Sequence, residues 1–273
     1  MGRLKTSNTP DLAVLLTPQN PIMIAVEQAV LRGHDWSRTA PPVAEQIAVR
    51  IAGLITLDLI HAGQRLLEKD ISEVLHISRS PVREALRILE REGLVEFEPR
   101  RGAIVTAPDA KDLRDTYVVR SALYAVLLRL LMETCPDELE AVFERHMPLI
   151  RRAAEESVDA YSLASFSLNL EITQLCSNRL VVDLLTSISL RTLRYVRMGL
   201  AANPDTIADK VKTWSAMQRA IVKRDKDLVV VTAQRRIESS RDAALQALEP
   251  ISPKGKSDKA RVSSASRATV QRT

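Results

Sequence analysis

Aromatic side chains are scarce in this chain of 273 residues: there are nine, with eight glycines and two cysteines. Strands and tight turns draw on aromatic residues and glycine, so this scarcity counts against a β-rich fold and favours helix. Cys135 and Cys176 are too few for a disulfide framework and suit a reducing compartment. No apolar run approaches the roughly 18 residues of a spanning helix. Pro18, Gln19, Asn20 and Pro21 interrupt the N-terminal stretch, so neither a signal peptide nor a membrane anchor is expected. The glycines form no G-x-G-x-x-G or G-x-x-x-x-G-K-[ST] signature, which leaves no dinucleotide or nucleotide cofactor to expect. His34, His61, His76 and His146 build no H-E-x-x-H or His–Cys cluster, and there is no G-x-S-x-G elbow. A catalytic bundle with an attached targeting module would need such a constellation, so an enzyme is not expected.

What is present is charge and helical periodicity. Lys and Arg number 39 against 34 Asp and Glu, a formal net charge of +5, and the pI is near 9.3. The excess has a definite place. Residues 250–273 carry Lys254, Lys256, Lys259, Arg261, Arg267 and Arg272 against Asp258 alone, which leaves residues 1–249 formally neutral. The basic pI therefore reports a tail, 249–273, whose composition reads as disordered and able to add only salt-sensitive, non-specific affinity for nucleic acid.

Residues 1–40 read as a loosely attached arm with one apolar stretch, Ile22–Leu31. From Pro42 onward Val43, Ile47, Ile51, Leu54 and Ile55 recur at helical spacing until His61-Ala62-Gly63. A short helix is expected over Glu68–Leu75. Another follows Ser78-Arg79-Ser80-Pro81, where Ser suits the N-cap and Pro the first turn, and it stops at Gly93. Two β-prone runs around Pro99-Arg100-Arg101-Gly102 make a hairpin. After Asp109 a long segment places Leu113, Tyr117, Arg120, Leu123, Tyr124, Leu127 and Leu131 on its buried side and ends at Cys135-Pro136; further helices are read at 137–156, 160–176, 179–199, 205–223 and 226–248. The fold class is mainly α: a winged helix-turn-helix over 41–108 and an all-helical bundle over 109–248. The row Leu180, Leu184, Ile188 and Leu193 fits either a dimer seam or, more simply, bundle core.

Arg79, Arg83, Arg87 and Arg91 lie four residues apart on one helix, so they share a face in steps of about 5–6 Å. Such a stripe can enter a major groove, where Arg pairs with guanine O6 and N7 while neighbours hold phosphates. The alternative is a solvated face paired with Glu84 and Glu90. Net charge does not decide, because Glu68–Gly102 holds seven basic and eight acidic residues. Two adjoining features favour DNA: the Ser-capped turn, and a hairpin whose glycine tip lets backbone approach the minor groove.

The runs Gly63-Gln64-Arg65-Leu66, Glu68-Lys69-Asp70-Ile71-Ser72, Ile77 to Val95 and Arg100-Arg101-Gly102-Ala103-Ile104-Val105 resemble the N-terminal domain of GntR-family bacterial transcription factors, over some 60 residues. The helical remainder is similar to the FadR-type branch, whose bundle senses a small effector. The resemblance implies a bacterial cytoplasmic homodimer on a double-stranded operator. It places Lys69, Ser78, Arg79, Ser80 and Arg83 at operator contacts, with Arg87 on the same face and Arg101 and Gly102 at the wing tip. Two residues depart from the pattern. Ala62 replaces a usual proline, and His76 replaces the usual glycine between the second and third helices, where slight strain is expected.

Many bundles of this branch hold a divalent metal with an Asp, a His four residues later, and two later His residues. In this chain those places fall on Ser165, Asn169, Trp214 and Arg236, so no metal is expected. Arg236, Asn169 and Trp214, with Arg120 as a second anchor, would instead suit an organic acid held by charge-assisted hydrogen bonds. The alternative is that Trp214 fills the lost cavity while Arg236 pairs with a carboxylate such as Glu171. A nucleoid-type DNA-coating protein driven by the tail is the competing function, and it differs in binding DNA without sequence preference.

Overall fold

The computed structural model describes residues 42–99 and 102–248; the N-terminal arm, Arg100, Arg101 and the basic tail lie outside the described residues. Helix α1 (Val43–Thr56) follows Pro42 and buries Ile47, Ile51, Leu54 and Ile55. Strand β1 (Arg65–Leu66) leads into α2 (Glu68–Val74), and α3 (Arg79–Arg91) follows the turn. Val82, Ala85, Leu86 and Leu89, three or four residues apart, form the buried stripe of α3 against α1. His76 in the α2–α3 turn has φ 53°, a left-handed conformation costing a side chain about 1 kcal/mol. Gly93 takes φ 67° where α3 ends, the reason a glycine closes that helix.

The wing is the hairpin β2 (Val95–Glu98) and β3 (Gly102–Val105), to which β1 adds a third antiparallel strand in the order β1-β3-β2. Val95 lies opposite Val105, Glu98 opposite Gly102 and Leu66 opposite Ala103.

Six long helices follow: α4 (Ala110–Thr134), α5 (Pro136–Glu156), α6 (Val158–Gln174), α7 (Arg179–Ala202), α8 (Ile207–Val222) and α9 (Lys226–Leu248), with a 3-10 turn at Pro204–Thr206 before α8. Their starts follow local chemistry. Asp109 accepts from the Asp112 amide at 2.8 Å, Ser157 from Ala160 at 3.0 Å and Asn178 from Val181 at 3.3 Å. Helix α9 packs on both α4 and α7. The α7–α9 crossing is close: a Cβ on Gly199 would lie 2.9 Å from the Ala243 carbonyl carbon.

The hydrophobic core of the winged part reaches into the bundle, taking in Phe166 and Leu170 of α6 and Leu190 and Leu193 of α7. Polar links join the same parts. Arg194 donates to the Thr106 carbonyl at 3.0 Å and the Ser187 hydroxyl to Glu92, while Arg191 holds Asp112 of α4 at 2.6 Å within the bundle. One expectation about α7 is corrected. Leu180 is 68% and Leu184 43% exposed, so this end of the leucine row is not bundle core, whereas Leu193 is buried. The row turns with the helix, and only its later residues meet a neighbour.

Candidate DNA-reading face and bundle cavity

Lys69 on α2 and Ser78, Arg79, Ser80, Arg83 and Arg87 around the start of α3 are all exposed, and they lie on the two helices that the α2–α3 turn brings together. Ser78 occupies the N-cap with extended backbone, but its hydroxyl accepts no amide hydrogen from the helix. The capping expected of that side chain is therefore absent. Gly102 opens β3 with φ 81°, whereas Arg101 lies outside the described residues.

The arginine stripe divides by partner. Arg83 donates from Nε and Nη2 to both carboxylate oxygens of Glu68, at 2.9 and 2.8 Å. That hydrogen bond, opposed by partial burial and aided by the charges of Arg79 and Arg87, holds the Glu68 carboxyl below the usual carboxylate range. Arg87 bonds Glu90 at 2.8 Å and lies 4.4 Å above the Phe97 ring, which fastens α3 to the wing strand β2. Arg91 instead lines a cavity of about 360 Å³ between α1, α3 and α7, so it belongs to the bundle side. Arg79 makes no ion pair among the described residues. Glu68 is the residue that periodicity missed, because its link to Arg83 crosses from one helix to the next.

In the bundle, Ser165, Asn169, Trp214 and Arg236 do come together. The Asn169 amide donates to the Ser165 carbonyl at 2.7 Å and presents its oxygen to Arg236 Nη2 at 3.0 Å. The Arg236 guanidinium lies 3.8 Å over the Trp214 ring, which packs edge-on against Phe143 at 5.9 Å between centroids. Trp214 is wholly buried. The pairing of Arg236 with Glu171 does not occur: Glu171 is taken by Arg145 and by His146 at 2.6 Å.

Arg120 and Arg236, 6% and 8% exposed, line one cavity of about 30 Å³ with Tyr117, Ser162, Phe166 and Asn169. Tyr117 Oη, Ser162 Oγ and Arg236 Nε are buried there without a hydrogen-bond partner. Burial, opposed by Arg120 and Arg236, pushes the Tyr117 hydroxyl up to about 12; burial lowers the Arg120 pKa. A second cavity of about 20 Å³ shares Ser165, Val196, Arg236 and Ser240 with the first and adds Lys210 and Tyr161. Sequence reasoning missed Lys210. Its signal was position: with Ile207, Trp214, Met217 and Ile221 it occupies the buried stripe of α8, where a charge is out of place.

Residues 43–105 match the family described as bacterial regulatory proteins, gntR family, and residues 115–239 match the FCD domain. An uncharacterized HTH-type transcriptional regulator in the TAR-I ttuE-ttuC' intergenic region of Agrobacterium vitis is 34% identical over 131 residues, 48% of this chain and 72% of that protein. The uncharacterized HTH-type regulator YdhC of Bacillus subtilis is 29% identical over 97 residues, 36% of this chain and 43% of its own length. Among solved structures, E. coli McbR/YncC shares the fold with a TM-score of 0.66 at 15% identity, over 77% of this chain and 100% of the other.

Proposed function

The chain belongs to the GntR family of transcriptional regulators and carries an FCD domain, and from that premise we propose that it binds a specific operator under the control of a small organic acid held in the bundle without a metal. The observation that carries the control step is Arg236. A fixed cation, bonded to Asn169 and flat on Trp214, sits at the junction of two small cavities. A hydroxyl, an amide, an indole and a guanidinium are a donor set that does not fit a divalent cation, whereas guanidinium and amide together suit a carboxylate.

On DNA, a homodimer would set two α3 helices into successive major grooves. Arg83 and Arg79 would meet base edges, Lys69 and the serine hydroxyls would meet phosphates, and Glu68 would hold Arg83 in a fixed fork until DNA replaces it.

Coupling follows from volume. A cavity of about 30 Å³ holds a water or two, so an organic acid enters only by parting α6, α7 and α9. Phe166 and Leu193 line that cavity and also pack in the winged part's core. Helix α7 carries the links to Glu92 and Thr106 as well. Ligand and DNA thus favour different placements of α7, the differential affinity that control requires.

The test is a gel shift of the full chain on DNA just upstream of its own gene, with excess random competitor. Retention that survives competitor supports the regulator. Equal loss to random DNA with a steep salt dependence favours a coating protein instead.

A further inference from the structure

Lys210 is 7% exposed, as deeply buried as Arg120 and Arg236. Its ammonium donates to Ser239 Oγ at 2.7 Å. None of these three cations forms an ion pair among the described residues, and no carboxylate lines either cavity. Asp242 is the acidic group whose charge reaches Lys210, and it is paired with Arg241 at 2.9 Å. Burying a cation is costly unless an opposite charge meets it. A single carboxylate entering this site would leave two of the three uncompensated.

We propose that the ligand is a small dianion whose two acidic groups straddle Arg236, one held with Arg120 and Asn169 and the other with Lys210. This rests on the reading of the bundle as an organic-acid site and names the class of acid. The two cavities meet at Arg236, Ser165 and Ser240, so one molecule can reach both ends. The unpartnered Tyr117 and Ser162 hydroxyls serve the first end, and Tyr161 stands beside the second.

The titration of Lys210 gives an independent readout. Burial and the repulsion of Arg236, offset in part by Asp242, draw its pKa down to about 8. Tyr161, facing the same cavity, has its hydroxyl raised by burial and stays neutral. An acidic group beside Lys210 restores its affinity for a proton, so binding near pH 8 takes up protons from the buffer.

The experiment is a thermal-shift and calorimetric titration of the full chain with succinate, glutarate, adipate and phosphoglycolate, set against butyrate, valerate and hexanoate. At least one diacid or the phosphate ester should stabilise the protein, bind about tenfold or more tightly than the monoacid of equal length, and draw protons from the buffer near pH 8. Lys210→Met should fold, since Met is apolar and similar in length. It should abolish that preference and the proton uptake, and Lys210→Arg should keep the preference. Monoacids binding as well as their diacid partners, or Lys210→Met keeping the preference, overturns the dianion while leaving the organic-acid reading in place. Silence across the whole panel overturns both.

Discussion

Two sets of cations divide this molecule. On the reading face, Arg83, Arg87 and Lys69 are exposed and already have acidic neighbours in Glu68, Glu90 and Glu73. In the bundle, Arg120, Lys210 and Arg236 are buried and form no ion pair among the described residues. Exposed pairs in water are cheap to form and to break, so the first set can exchange carboxylate for DNA with little effect on folding. The second set has no solvent to lean on. Its uncompensated charge is a standing cost to the free protein, which a ligand of opposite sign removes. On the proposed function the same residue types serve reading in one place and sensing in the other, and burial decides which.

The largest test of this contrast removes Arg236. In Arg236→Ala the stabilisation by any acid that acts on the wild type should vanish, a loss of at least tenfold in affinity, while DNA binding without ligand stays close to wild type. Melting curves with and without acid check it. Next is Arg83→Ala, which should weaken operator binding by roughly tenfold to a hundredfold and relax one base position, with little change in melting temperature. Equal losses on operator and random DNA would remove its assigned role.

Lys210→Met sharpens the contrast through pH. The folded Lys210 pKa is about 8 against an ordinary 10.5. Below pH 8 the lysine is charged in both states and its burial penalty is fully present. Between there and 10.5 the unfolded chain binds a proton that the folded chain has lost, so this group's contribution to stability rises with pH. The variant should therefore melt higher than wild type at neutral pH, and the gap should close as pH climbs through 8 toward 10. Lys69→Ala is the mildest change. It should weaken binding evenly across sequences and lower the salt slope by about one, as a titration at several salt concentrations would register.

Periodicity carried most of the architecture. The apolar spacing of α1 and α4, the start of α4 after Asp109 and the stop of α3 at Gly93 were legible because each depends on residues within a turn or two of one another. The leucine row of α7 was not, since which of its faces is covered depends on where α6 and the winged part lie. The meeting of Asn169, Trp214 and Arg236 was legible only by counting along a family pattern; spacing alone does not join α6, α8 and α9. Glu68 beneath Arg83 and Lys210 beside Arg236 escaped for one reason. Their significance comes from a partner on another helix, and a lysine or glutamate at helical spacing reads first as solvated surface.

On the proposed function, the buried cations of the bundle make the operator grip respond to an organic anion. This response is tested most directly by fluorescence anisotropy of the full chain on its own upstream DNA, with competitor present, titrated with dicarboxylates for wild type and Arg236→Ala. Wild-type affinity should shift with at least one acid, and the variant should bind the same DNA with no shift. An equal shift in both proteins, or no shift with any acid, would contradict it.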